Sequence, residues 1–308
     1  MAQFSTAQQS APFCLPRRSG NWKGERAGAA QARRDQGLPF FMRVLFIGDI
    51  VGSPGRQIVH DRLADFVSQR QIDLVIANGE NSASGFGITP KIAEELLGAG
   101  IDVLTGGNHS WDRREVLEYI PHQPRLLRPA NFPEGNPGTG VFTGTAKNGA
   151  KYAVVNLQGR VFLPAIQDPF RMADALLAGL GQDTALVLVD MHAEVTSEKV
   201  AMGWYLDGRA TAMVGTHTHV ATADERVLPQ GTAYITDVGM TGPHAGVIGM
   251  DRVGMIKRFL DAMPARFEVA SGDVQLNGVV IETDDAGPRN AGGRLRARSI
   301  ERVRLRAD

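Results

Sequence analysis

RVLFIGDIVGSPGRQIVHDRLADFVSQRQIDLVIANGEN, residues 43–81, sets the architecture of this chain. Its first five residues are an apolar run with no polar alternation, the pattern of a strand buried on both faces. That run stops at Gly48-Asp49. Pro54 then opens a helix whose apolar positions are Ile58, Leu63, Phe66 and Val67. Residues 74–77 form a second apolar run, which stops at Asn78-Gly79-Glu80-Asn81. Strand, helix and strand in this order predict an α/β fold, and each strand delivers polar side chains at its carboxyl end.

The same punctuation continues outward. Thr89-Pro90 reads as an N-cap with proline in the first turn, and the helix runs to about Leu97 before Gly98. Residues 101–104 predict a third strand, ending at Gly106-Gly107-Asn108-His109. Later strands are expected at 152–156, 185–189, 212–214 and 233–235, with a helix over 168–180. The strand over 185–189 leads into Asp190-Met191-His192, and the strand over 233–235 leads into Thr236-Asp237. The last forty residues alternate at 267–269, 274–276, 279–282 and 300–305 and read as hairpin strands. Residues 42–308 therefore read as a single domain, two packed sheets flanked by helices.

The run 211–215 is followed by Thr216-His217-Thr218-His219. Two histidines at i and i+2 on a strand point to one side, an arrangement suited to metal ligation. Across the strand ends the candidate ligands are Asp49, Glu80, Asn81, Asn108, His109, His192, His217 and His219. They form a nitrogen and oxygen set with no sulfur, suited to Mn, Fe, Co, Ni or Zn. One metal needs three or four protein ligands, so the inventory suffices for two. Taken singly, each has a bland reading: Asp49 as a turn residue, Asn81 and Asn108 as helix caps, His192 as a hydrogen-bonded core histidine.

Composition limits the function. The chain has 308 residues, 43% hydrophobic, and 33 basic side chains balance 33 acidic ones. That length and composition allow a sizeable core. The balance gives a nucleic-acid track no support, and no apolar run reaches the length of a membrane span. Cys14 is the sole cysteine, so no intrachain disulfide is possible, as expected of the cytoplasm. Residues 1–41 carry six basic and two acidic side chains with little periodicity. They read as a disordered extension or a mis-assigned start, with the functional chain beginning at Met42.

The motifs GDIVGSPGR (48–56), NGENSASGFGIT (78–89), GGNHSWD (106–112), HAEVTSEK (192–199) and GTHTHVATAD (215–224) resemble those of the YmdB-type phosphodiesterases. These belong to the calcineurin-like metallophosphoesterase superfamily. DVGMTGPHAGVIGMD (237–251) matches as well, and the resemblance runs from Met42 to the carboxyl terminus. Two departures from the broad superfamily are shared with the YmdB-type group: Asp49-Ile50-Val51 lacks the usual Asp-x-His, and Glu80 replaces a bridging aspartate. The resemblance implies the sandwich of two mixed sheets flanked by helices. It implies two divalent or mixed-valent metal ions, iron first, with manganese or zinc as alternatives. One ion would be held by Asp49, Glu80 and His219, the other by Glu80, Asn81, Asn108, His192 and His217. His109 would remain unligated as proton donor in hydrolysis of small phosphodiesters such as 2′,3′-cyclic nucleotides by metal-activated water.

Asp112 is placed to orient His109. Phe86, Trp111 and Phe162 are candidates for a base-binding wall, with packing as the commoner fate. Arg160 and Lys199 are candidate phosphate contacts, with exposed solvated charge as the default, and Gly85 and Gly87 suggest a loop that closes over substrate. Rival readings keep the metal site but change the output: a phosphomonoesterase, a nuclease acting on RNA or DNA, or a regulatory protein that works by binding. The sequence leaves homo-oligomer formation open.

Overall fold

β1 (Arg43–Ile47) has Val44 and Phe46 on one face, Leu45 and Ile47 on the other, and all four are fully buried. A strand with apolar side chains on both faces needs a cover on each, and the fold supplies both. The computed structural model of the chain describes residues 41–264 and 266–307. The reading of 1–41 as an extension, with Cys14, lies outside the described residues apart from Phe41.

α1 (Gly52–Gln69) carries the chain from β1 to β2 (Leu74–Asn78), which pairs parallel to it. The helix starts two residues before Pro54, and it buries Ile58, Leu63 and Val67 as its spacing predicts. α2 (Pro90–Gly98) is capped by Thr89, whose side chain accepts from the amide of Ile92. β3 (Val103–Thr105) extends the parallel set, and the short α3 (Val116–Tyr119) follows it.

The second sheet begins with β4 (Val141–Thr145) and β5 (Lys151–Gln158), an antiparallel pair whose first strand the sequence reading misses. α4 (Pro169–Gly179) is capped by Asp168 and leads to β6 (Leu186–His192). α5 (Thr196–Leu206) leads to β7 (Ala212–Thr216), followed by β8 (Arg226–Val227) and β9 (Ala233–Ile235). The order is β4-β5-β6-β7-β9-β8, parallel through β5, β6, β7 and β9.

The chain then returns to the first sheet. β10 (Gly242–Pro243), α6 (Arg252–Asp261), β11 (Val274–Asp284) and β12 (Arg296–Arg306) complete it, with β11 antiparallel to β1 and to β12. The tail is thus one long hairpin, and residues 267–269 are not a strand. The expected break between 276 and 279 is absent because β11 runs straight through Asn277-Gly278. Asn-Gly is a turn signal in isolation. Here a Cβ at 278 would lie 2.8 Å from the carbonyl oxygen of Phe46, so glycine serves strand approach instead.

Both sheets are mixed, and they pack face to face with helices outside. Val44, Phe46, Ile76 and Val103 meet Val154, Leu188, Val214 and Ile235 between the sheets. Leu45, Ile47 and Val75 face α1 and α2, while Val155, Val189 and Met213 face α4 and α5. Burying one side chain of this kind stabilises by about 1.5–3 kcal/mol. Among the described residues, no helix is long and apolar enough to cross a membrane.

Candidate metal centre

The parallel strands of both sheets end at one rim, and that rim gathers the polar residues. Asp49 follows β1, Glu80 and Asn81 follow β2, Asn108 and His109 follow β3, His192 ends β6, and His217 and His219 follow β7. Asp49, Glu80, Asn81 and His192 are buried to within 2% of complete. Close approach explains the glycines of the motifs. A Cβ at Gly107 would lie 2.3 Å from His192 Nε2 and 2.4 Å from Glu80 Oε2.

His217 and His219 do converge, but not by strand alternation. β7 stops at Thr216, and both histidines sit in a loop at positive φ, 98° and 65°. Such conformations are costly for side-chain-bearing residues and persist where the surroundings impose them. Here Asp237 accepts from the amide and hydroxyl of Thr218, and Asp49 Oδ2 accepts from the amide of His217 at 3.2 Å.

Hydrogen bonds on the far edges of the rings assign the tautomers. Thr216 Oγ1 donates to Asp190 Oδ1 at 2.7 Å, so it accepts from His192 Nδ1 at 2.9 Å. His217 Nε2 donates to Glu194 Oε2 at 2.9 Å, and His219 Nδ1 donates to the carbonyl of Ile248 at 2.9 Å. Each ring therefore turns a lone pair inward.

The result is a nest of acceptors. His192 Nε2 lies 3.0 Å from Asn108 Oδ1, 3.0 Å from His217 Nδ1 and 2.9 Å from Glu80 Oε1. One ring nitrogen holds one proton or one lone pair and cannot serve three such partners. Asp49 Oδ1, also buried, has no hydrogen-bond partner among the described residues, and lies 4.0 Å from His219 Nε2. Asn81 Nδ2 is 3.1 Å from His219 Nε2 and 3.4 Å from Glu80 Oε1. Glu80 thus lies between an Asn108–His192–His217 group and an Asp49–His219 group. The Asn81 amide sits against His219, where the resemblance places it with His192 and His217.

The electrostatics make the same demand. Burial would raise the Glu80 carboxyl, but the charge of His192 wins and holds it down at about 2. Burial would lower His192, but Glu80, Asp49 and Asp190 pull it up to about 9. His217 is driven down to about 3 by burial and by the neighbouring His192 charge. Burial raises Asp49 above the usual carboxylate range. The cluster asks for positive charge, and a proton on His192 is a poor substitute for a cation that meets every lone pair. The donor set and the orphaned Asp49 oxygen fit a divalent metal site.

His109 stands beside the nest and outside it. Its amide donates to Glu80 Oε2 at 2.9 Å, while its Nδ1 is 2.8 Å from Asp112 Oδ2, as the sequence suggests. Its Nε2 edge is left toward a cleft of about 280 Å³ that Phe86 and Phe267 also line. The Phe86 ring meets the His109 ring edge-on at 5.1 Å. Trp111 instead packs on Phe132, and Phe162 is 87% exposed.

Three expectations need correction. Lys199 is buried, and its Nζ donates to Asp237 Oδ2 at 2.6 Å and to the Thr216 carbonyl at 3.0 Å, so it is no phosphate contact. Arg160 follows its default reading as an exposed charge and pairs with Asp168 at 2.8 Å on the surface, rather than reaching the nest. The Phe86 loop is tied down rather than free, because Arg113 donates to the carbonyls of Phe86 at 3.0 Å and Ala83 at 2.6 Å. The sequence reading passed over Asp190, Thr216, Glu194 and the Lys199–Asp237 pair as supports of the site. Asp190 and Asp237 carried a usable signal, each an acid at the end of an apolar strand.

The chain is similar to known proteins over most of its length. The profile of the YmdB-like protein family matches residues 45–294. A 2′,3′-cyclic-nucleotide 2′-phosphodiesterase of Bacillus subtilis (strain 168) is 52% identical over 267 residues, covering 87% of this chain and 98% of its own. A hypothetical protein of Thermus thermophilus, known from its crystal structure, superposes with a TM-score of 0.78 at 40% identity, covering 87% of this chain and 100% of its own. The crystal structure of a novel phosphatase of Mycoplasma pneumoniae superposes with a TM-score of 0.80 at 38% identity, covering 87% of this chain and 95% of its own.

Proposed function

The chain belongs to the YmdB-like family, a family of phosphate-ester hydrolases, and on that premise we propose that it hydrolyses small phosphodiesters such as 2′,3′-cyclic nucleotides. The observation that carries this reading is His109, held by Asp112 and Glu80 beside an acceptor nest yet taking no part in it. A site that only stores or displays metal needs no such free acid. Diester cleavage does, because it expels an alkoxide.

In this reading Asn108, His192 and His217 would hold one metal ion, Asp49, Asn81 and His219 the other, and Glu80 would contribute to both. When bound, the ions supply Lewis acidity toward the phosphoryl oxygens and acidify water. Iron is our first choice, and manganese or zinc suit the same donors. We place the protein in the cytoplasm and take 42–308 as one functional domain.

The chain's own residues do the rest. Thr216, Glu194 and the Ile248 carbonyl fix which nitrogen each ligand ring presents, a role worth about 10–100-fold in metal affinity. Asp112 accepts from His109 Nδ1–H and stabilises the imidazolium. His109 Nε2–H then protonates the leaving oxygen as the phosphorus–oxygen bond breaks and water adds to phosphorus. The imidazole regains its proton from water afterwards. Proton donation of this kind contributes about 10²–10⁴-fold.

The test is hydrolysis of 2′,3′-cyclic AMP, bis-p-nitrophenyl phosphate and p-nitrophenyl phosphate by the metal-loaded protein. Cleavage of the diesters is expected, with His109→Ala losing about 10²–10⁴-fold while keeping its metal. Wild-type turnover in that variant overturns the acid assignment. Cleavage of the monoester alone overturns the diesterase reading in favour of a phosphatase. Metal without turnover on any substrate favours a regulatory protein.

A further inference from the structure

α6 turns its apolar face outward. Val253, Ile256 and Leu260, spaced by three and four residues, share one face of the helix, with Phe259 beside them. These four side chains are between 52% and 82% exposed, and Met263 continues their strip past the helix end. The opposite face carries Gly254, Met255 and Arg258. Met255 lines the cleft beside His109, and the Arg258 guanidinium lies 5.0 Å from the centre of the Phe267 ring. A surface helix ordinarily does the reverse, with its apolar stripe toward the core and its charges toward water. The strip presents on the order of 500 Å² of apolar surface, the upper end of the largest patch on an ordinary monomer, about 300–600 Å².

The charges on the edge of the strip are self-complementary. Lys257 and Asp261 lie one turn apart on the same flank. Among the described residues Lys257 makes no hydrogen bond or ion pair. Asp261 uses Oδ1, which accepts from the amide of Met263 at 2.9 Å, and leaves Oδ2 to the surface. Two helices packed antiparallel about a two-fold axis bring like flanks together. With Ile256 set against Leu260 of a second copy, Lys257 stands about 3 Å along the axis from that copy's Asp261, within reach of a lysine side chain. The pair forms twice, once at each end. A parallel arrangement would instead set Lys257 against the flank that carries Arg252.

From this we infer that α6 is a two-fold interface, at which the strip of one chain packs antiparallel on the same strip of a second copy. Such a contact is isologous and closes on itself, so it builds a pair and not a filament. Two strips meeting remove about 1,000 Å² from water, enough for a specific interface. A lipid surface fits the helix less well. Helices that lie on membranes back their apolar face with a solvated one rich in Lys and Arg. The back of α6 is packed on the protein instead, with Arg258 on Phe267, and Asp261 stands beside Lys257 at the edge. Because Met255 belongs to the same helix, the second copy stands directly behind one wall of the cleft. The inference asks nothing of the hydrolytic reading and holds whichever substrate the cleft takes.

The test is sedimentation velocity of the full metal-loaded chain across micromolar concentrations. A dimer is expected, or a larger even-numbered assembly built from it. Leu260→Glu should halve the mass of that assembly and leave the far-ultraviolet circular dichroism unchanged, because the side chain is exposed. Lys257→Asp and Asp261→Lys should each weaken association by about tenfold or more, since each sets like charges against each other twice. The double variant Lys257→Asp with Asp261→Lys should recover most of the loss. A wild type that stays monomeric throughout overturns the inference. So does an assembly that survives Leu260→Glu, or a double variant in which the two single losses simply add. A monomer that floats with vesicles of phosphatidylcholine and phosphatidylglycerol, and ceases to do so in Leu260→Glu, would give the strip to lipid and overturn the pairing.

Discussion

Two buried charge clusters flank Thr216, and their difference separates a structural pair from a set of metal-ligating donors. On one side Lys199 and Asp237 are each 1% exposed. Every strong acceptor there has its donor: Asp237 Oδ2 receives Lys199 and Thr218, and Asp237 Oδ1 receives the amide of Gly239 at 2.8 Å. That cluster is closed by the chain itself. On the other side, Asp49 Oδ1 has no partner and His192 Nε2 faces three. Thr216 belongs to both, its carbonyl to Lys199 and its hydroxyl to His192 and Asp190. A buried pair that closes electrically is structural. A buried set with surplus lone pairs fits a cation.

Breaking the closed cluster should have the largest effect. Lys199→Met leaves Asp237 buried without its counter-charge, at a cost of about 3–5 kcal/mol in urea unfolding. A double variant that also replaces Asp237 with leucine should recover part of that loss. If the single variant unfolds within about 1 kcal/mol of wild type, the pair is not what holds the His217–His219 loop.

Removing metal should act on the open cluster alone. Exhaustive chelation should lower unfolding stability by about 2.7 kcal/mol for each ion removed, relative to protein in metal at roughly 100 times its dissociation constant. An unfolding curve that ignores both chelator and added metal would show that the acceptor nest is satisfied in some other way.

Thr216→Val tests the residue common to both. It removes the acceptor for His192 Nδ1–H but keeps the carbonyl that Lys199 uses. Metal affinity should fall about 10–100-fold, with stability changed far less than by Lys199→Met. Glu194→Gln should be the mildest. Glu194 is half-exposed and an amide still accepts from His217, so a loss of about tenfold or less in metal affinity is expected. A larger loss in Glu194→Gln than in Thr216→Val would reverse the ranking of buried over exposed support.

Much of this was legible in the sequence, for physical reasons. Strands buried on both faces appear as continuous apolar runs, so β1, β2 and β6 and their polar ends could be read directly. Thr89-Pro90 announced its helix because capping is local chemistry. What the sequence concealed depends on partners far along the chain. Lys199 and Asp237 are 38 residues apart, and neither signals the other. The positive φ of His217 and His219 is imposed by tertiary bonds, so the strand alternation argued from sequence is not what turns the two rings toward the rim. Asn277-Gly278 carries a turn signal that the close approach of β1 overrides. α6 is a different case, with no buried residue at all, so burial logic gave no purchase on it; α3 and α5 also went unread.

The most direct test of the central claim is the metal content of the purified chain, measured per polypeptide after loading and desalting, for wild type, His109→Ala and His217→Ala. The account predicts close to two ions per chain in wild type and in His109→Ala, and a clear fall in His217→Ala. A wild-type protein that retains no metal yet still cleaves phosphodiesters, or a His109→Ala variant that loses metal as His217→Ala does, would contradict it.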